Sequence, residues 1–143
     1  MTLKLWNELT HSERVDRWEH AIKVIDGLNQ HEREKHFDMG DWGRETECGT
    51  VACAAGHCGL DPKFRQDGFQ MNFETKQYLD GYEYRTLKFT TQPEDFFGKT
   101  ASNDIFTNGD ILIIDDPLES HAAVIKAMKA YLEELKAKAS CVI

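Results

Sequence analysis

The stretch ECGTVACAAGHCG, residues 47–59, holds three of the chain's four cysteines, one of its six histidines and three of its ten glycines. It has the composition of a metal site, of a thiol nucleophile opening a helix, or of a tightly packed structural segment. Gly49-Thr50 reads as a turn followed by an N-cap, which predicts a short helix over 50–57. Cys48 then lies just before a helix N-terminus, where the dipole and free N–H groups lower a thiol pKa and activate it. The predicted helix is almost all small, from Ala52 through Cys53, Ala54 and Ala55 to Gly56. Small residues on every side permit close backbone approach, and a free cysteine there behaves as a small hydrophobe. The balance favours a central, buried helix, with Cys53 buried and inert and Cys48 the most reactive thiol of the motif.

The two chemical alternatives name their own residues. A thiol enzyme would use Cys48 as nucleophile and needs a base within hydrogen-bond reach, oriented by a third group. The downstream candidate is His121, which sits in a stretch of helical pattern. A metal site would draw on Cys48, Cys53, His57 and Cys58, spaced C-x4-C-x3-H-C. Adjacent His57 and Cys58 rarely both face one tetrahedral ion from regular structure, and no second C-x2-C knuckle exists. His31 or His36 would be needed to complete a three-ligand set with Cys53 and His57. The expectation is no zinc and no cofactor, with His57 bonding nearby carbonyls at a helix C-terminus.

Beyond single residues, the pair FDMGDWG from Phe37 and CGTVACAAGH from Cys48 resembles an uncharacterised family of small bacterial and bacteriophage proteins. Its members show Phe-Asp/Asn-Met, a Trp, and then C-G-T-x-x-C-x-A-G-H/W. The resemblance covers residues 36 to 60 and implies a prokaryotic or phage origin, with the Cys48–His57 segment at the core of the fold. C-G-x-x-x-C is also similar to the nucleophile segment of ubiquitin-like-protein-processing cysteine peptidases, and Glu-Cys-Gly to the opening of bacteriocin-leader peptidases. Neither match extends past the cysteine. The first family carries its His upstream, and the second carries it in a downstream strand.

Outward from the motif, Thr10 and Glu13 form a capping-box signal, and Val15, Trp18, Ile22 and Ile25 recur at helical spacing. They predict a helix over about 12–28. The run NQHEREKH, residues 29–36, is polar throughout and reads as a loop or exposed turn. HFDMGDWG reads as a compact loop with Phe37, Met39 and Trp42 turned inward. Asp61-Pro62 opens one helical turn stopped by Gly68. Phe69, Met71 and Phe73 alternate with polar residues, Asp80-Gly81 supplies a hairpin turn, and Tyr82, Tyr84, Leu87 and Phe89 answer. QPEDFFG is a short helix with Pro93 at its start, Ser102 caps another through Phe106, and Asn108-Gly109 turns into the apolar ILII. The last helix, about 117–138, has Asp116 as N-cap and Leu118, Ala122, Ile125, Met128, Leu132 and Leu135 along one face. The expected fold is a single α+β domain over 1–143, with three main helices around a small antiparallel sheet built from 69–90. Residues 111–114 are a candidate extra strand.

Composition narrows function. With 143 residues, 41% hydrophobic and 29% charged, the chain has the size and balance of one ordinary folded domain. No apolar run is long enough to span a bilayer and the start lacks a signal-peptide pattern, so a cytoplasmic protein of a bacterial or phage-infected cell is expected. The net charge is −8, with acids outnumbering bases 11 to 7 over residues 1–47 and 11 to 6 over 48–116. That opposes nucleic-acid binding, which needs clustered Lys and Arg, and favours a protein partner with a basic surface. P-loop, GxGxxG, GxSxG and HExxH motifs are all absent. The expected role is an acidic accessory factor, an inhibitor or modulator of a host protein. Its expected contacts are Asp80, Tyr82, Glu83, Tyr84, Glu94 and Asp95, since interfaces favour Tyr. The alternatives are the Cys48 thiol enzyme and a small structural zinc protein.

Overall fold

The computed structural model describes residues 3–40, 42–46, 49–77 and 79–140. Cys48, Cys141 and Tyr78 lie outside them, as do the side chains of Phe73, Tyr84 and Leu87 within the strands. The fold is α+β, with more helices than the three expected.

The first long helix, α1 (His11–Asp26), starts where the capping box places it. Thr10 Oγ1 accepts from Glu13 N at 3.2 Å and Glu13 Oε1 accepts from Thr10 N at 3.0 Å, so two of the four orphan N–H groups are satisfied locally. Trp18, Ala21, Ile22 and Ile25 form its buried face. The same device recurs at Asn29 and Glu32, and there it builds a helix that the sequence reading missed. Here α2 (Gln30–Lys35) replaces the expected loop. Its residues are polar all round, so no apolar period announces it; the cap alone does.

The motif segment folds differently from the expected 50–57 helix. Residues Arg44–Thr46 (β1) and Gly49–Val51 (β2) pair antiparallel, Thr46 opposite Gly49 and Arg44 opposite Val51. Ala52 then donates its N–H to the His36 carbonyl at 3.0 Å and accepts from Asp38 N at 3.0 Å, bridging to Phe37. With those groups spent on strand pairing, the helix begins only at α3 (Ala54–Leu60). Cys53 is its N-cap, and its sulfur accepts from Gly56 N at 3.4 Å. The β-branched pair Thr50-Val51 suits this extended start better than a helical one. The helix is buried as expected: Ala54, Ala55, Gly56, Cys58 and Gly59 are all inside.

A short helix, α4 (Pro62–Gln66), capped by Asp61, leads into the main hairpin. Strands β3 (Met71–Gln77) and β4 (Glu83–Phe89) pair over seven positions, from Met71 opposite Phe89 to Gln77 opposite Glu83. Gly81, at φ +87°, takes the left-handed conformation in the connection, and Asp80 Oδ1 accepts from Tyr82 N at 3.0 Å. β1 adds to β4 through Arg44 opposite Thr86, which makes a four-stranded sheet in the order β2-β1-β4-β3. The sheet thus draws its extra strands from the cysteine motif and the residues just before it, not from 111–114.

The second half is helical. α5 (Pro93–Phe97) starts at Pro93 as expected. Next comes α6 (Lys99–Ala101), which widens directly into a π-helical turn over Ser102–Phe106, where Thr107 N reaches back to Ser102 O at 3.2 Å. Ser102 is therefore buried inside a helix rather than capping one. ILII is also not a strand. Asn108 Oδ1 accepts from Asp110 N at 2.9 Å and starts α7 (Gly109–Leu112). Asp116 Oδ1 caps the long α8 (Pro117–Ser140) through Leu118 N at 2.9 Å. The buried face of α8 is Ser120, His121, Val124, Ile125, Met128, Leu132 and Leu135. Leu118 and Ala122 are exposed, because the buried face is centred on His121, Val124 and Met128 and both lie to one side of it.

One continuous cluster of apolar side chains joins these elements. Trp18 is its centre, with ring centroids of Tyr131, Phe97 and Phe106 at 5.0, 5.2 and 5.7 Å. Its indole N–H donates to the Phe97 carbonyl at 3.2 Å, so a large aromatic is buried with its polar handle satisfied. Through Phe97 it joins a cluster of Phe64, Phe69, Phe96 and Phe97, which pack on one another edge-to-face and stacked, between 4.6 and 6.5 Å.

Candidate functional site

The motif residues are held by structure in the positions where chemistry was expected. Cys48 lies outside the described residues. What had suggested its activation, an adjacent helix N-terminus, is displaced: the helix begins at Ala54 and Cys53 caps it. Cys53 and Cys58 are both buried. Burial, with Asp61 next in effect, pushes the Cys58 thiol well above its ordinary range, so it is neutral and unreactive. His57 Nε2–H donates to the His36 carbonyl at 2.7 Å, and its ring stacks on Phe37 at 5.9 Å. His57 thus bonds a carbonyl as expected, but from the middle of α3 to another segment. Among the described residues no group of three or more His, Cys, Asp or Glu side chains is placed to share a metal ion.

His121 is likewise a packed residue. It is buried, its Nε2–H donates to the Ile25 carbonyl at 2.7 Å, and its ring meets the edge of Phe37 at 5.2 Å. The bond to Ile25 fixes the tautomer and ties α8 to the C-terminal end of α1. Desolvation holds both His57 and His121 below the usual histidine pKa. His36 and His31 lie near the same place, 5.3 Å apart ring to ring, and His36 Nδ1 bonds the Thr50 carbonyl at 3.1 Å.

The expected contact residues fall on two surfaces. Asp80, Tyr82 and Glu83 lie at the far end of the β3–β4 hairpin, exposed, with Leu79 beside them fully exposed. Tyr84 is in β4, but its side chain lies outside the described residues. Glu94 and Asp95 are exposed on the first turn of α5, away from the hairpin end. The inward loop expected at 37–42 holds for Phe37 and Met39, which are buried. Trp42 is 41% exposed and stands edge-on to Phe89 at 5.4 Å.

A cleft that the sequence reading did not foresee lies between the end of α2, the 37–40 loop and the joint of α7 and α8. It measures about 380 Å³. Its described lining includes the apolar Phe37, Met39, Val51 and Ile114, and Glu34, Asp38 and Asp115 supply three carboxylates there against one cation, Lys35. Asp38 is oriented by Gly40 N, which donates to its Oδ1 at 2.9 Å. Beside the cleft, Ile113 is 76% exposed and Leu112 and Leu118 are partly exposed. The signal in the sequence was the run ILII set between Asp110 and Asp115-Asp116: too short for a buried helix and bounded by acids on both sides. No helix among the described residues is long and apolar enough to cross a membrane.

No family model, no curated protein and no solved structure matches the chain.

Proposed function

We propose that the chain acts by binding a protein partner with a basic, partly apolar segment, and that the cleft at the α7–α8 joint is where the segment docks. One observation carries this: a cleft lined by three carboxylates has the exposed Leu112 in its wall, and Ile113, next to it in the chain, is 76% exposed. Leaving such a side chain in water costs roughly 1.5–3 kcal/mol relative to burying it, and contiguous exposed apolar surface rimmed by polar groups marks interaction sites. The acids steer and select a cationic partner more than they add affinity. The hairpin end, with Leu79 exposed and Tyr82 at 68% beside Asp80 and Glu83, is the second contact surface. A phage or bacterial accessory factor that modulates a host protein fits this chemistry.

The test is affinity capture from the native cell extract with wild type, with Ile113→Lys/Asp115→Lys, and with Leu79→Ser/Tyr82→Ser. The expected result is a partner that wild type retains at low salt and releases at high salt, and that the first variant loses while its melting curve is unchanged. Retention by both variants removes the support for these surfaces. A Cys48→Ser chain that folds normally and keeps its partner yet loses the biological effect would replace binding with the thiol-enzyme alternative.

A further inference from the structure

A second cleft, also about 380 Å³, has the opposite chemistry. It lies where the N-terminal turn Trp6–Glu8, α1, α6 and the end of α8 converge. Arg14, Lys99 and Lys138 line it together with His11, Trp6 and Tyr131, and no Asp or Glu is among its described lining residues. The chain carries 25 acidic residues against 17 Lys and Arg, so an acid-free cleft with three permanent cations runs against the composition.

The three cations come from positions far apart in sequence and are brought together only by the fold. Like charges gathered without acids repel one another, and the fold offers no compensation at this place: among the described residues neither Lys99 nor Lys138 enters an ion pair. Arg14 is prearranged. Its Nε and Nη2 both donate to the Trp6 carbonyl, at 3.1 and 2.9 Å, and its guanidinium lies 4.7 Å from the Trp6 ring centroid. Gly98 lets the indole sit against the backbone, since a Cβ there would meet Trp6 Nε1 and Cε2 at 2.9 Å. Neutral donors complete the lining, with the Asn7 amide and the Thr100 and Tyr131 hydroxyls. Burial pushes the Tyr131 hydroxyl above its ordinary pKa, so it remains a donor. Glu134 is close enough to affect Tyr131 but is not among the lining residues.

We propose that this cleft binds a small phosphomonoester. The dianion matches three cations and several N–H and O–H donors with no competing carboxylate, and Trp6 offers an apolar wall for the organic part. The overall negative charge does not forbid it, because at physiological ionic strength fields are screened within roughly 8 Å, leaving the local cations in control. The site is separate from the acid-rimmed cleft and does not depend on the binding role proposed there.

Titration calorimetry of the full chain with phenyl phosphate, inorganic phosphate and phenol tests this. Phenyl phosphate should bind saturably at one per chain and more tightly than inorganic phosphate, and phenol should not bind. Lys99→Gln and Lys138→Gln, both at exposed positions, should each weaken phenyl phosphate by about tenfold or more, the loss expected when a charge-assisted hydrogen bond is removed. Lys63→Gln, which pairs with Asp67 elsewhere, should leave binding unchanged. The Trp6 indole N–H resonance should shift on titration. Absence of saturable heat, equal affinity for the two phosphates, or undiminished binding in both lysine variants would overturn the proposal.

Discussion

Replacing Gly56 with alanine puts a methyl group into backbone. An ideal Cβ at this position would stand 1.9 Å from the Trp42 carbonyl oxygen and 2.7 Å from Ala52 Cβ. Ordinary contacts begin near 3.4 Å, so α3 and the Trp42 segment would have to separate by more than an ångström. Neither yields easily, since Ala52 is fixed to His36 and Asp38 and Cys53 faces Trp42 O. Overpacking of this kind costs about 1–3 kcal/mol and sometimes more. Against it stands the helix propensity gained on replacing glycine, about 1 kcal/mol. Gly59 supplies the control on the same helix, because there the closest atom is Met71 Cγ at 2.5 Å, part of a flexible side chain, with Phe89 Cε1 at 3.2 Å. The propensity gain is the same for both and cancels in the comparison. Gly56→Ala should therefore be destabilised by about 2 kcal/mol, the upper end of the overpacking cost less the propensity gain, and fall about 2 kcal/mol below Gly59→Ala, a Tm difference of roughly 6–8 °C. Urea unfolding with unchanged m-values measures it. If Gly56→Ala is as stable as Gly59→Ala, the close approach of α3 to the Trp42 segment is wrong.

Acidification should weaken the fold through His57 and His121. Both are held below the ordinary histidine value of 6.5 in the folded chain, so as pH falls below 6.5 the unfolded chain takes up protons first and stability declines until the folded values are passed. Above that pH stability should be flat, and His57→Gln/His121→Gln, which keeps a donor for each carbonyl and removes the titration, should flatten the slope in urea melts between pH 7 and 5. A separate loss belongs to Glu13, lowered from 4.5 to about 2 chiefly by its bond to the Thr10 backbone and also by Lys4, and it appears only below pH 4.5. Native-state alkylation followed by mass spectrometry should leave Cys53 and Cys58 unlabelled until the chain unfolds, because both thiols are buried and Cys58 is held neutral. Labelling of either at the rate of a free thiol would show that the motif is not packed as described.

Where local chemistry alone sets a conformation, the sequence was sufficient. Thr10 with Glu13 starts α1, Asp61-Pro62 starts α4, Asp116-Pro117 starts α8, and Gly81 sits in the hairpin connection, since a cap or a turn is decided by residues within four positions of one another. The small residues of 52–59 likewise announced a buried segment before its shape was known. Asn29 with Glu32 carried the same kind of signal, and the polar run around it concealed a helix that was legible from its cap. Tertiary structure decided the rest. Thr50 and Val51 have a strand propensity too weak to exclude a helix, and it is pairing with Arg44 and Glu45, together with the His36–Ala52 bond, that makes them extended and moves the N-cap to Cys53. His121 became a bond to Ile25 only when α8 was laid on α1. Neither cleft has a local signature, because Glu34, Asp38 and Asp115, or Arg14, Lys99 and Lys138, come together only through helices whose packing follows from burying Trp18 and its ring of phenylalanines. Caps and turns act over a few residues, whereas burial of apolar surface has no fixed range along the chain, and sites assembled by burial become visible only once the chain is folded.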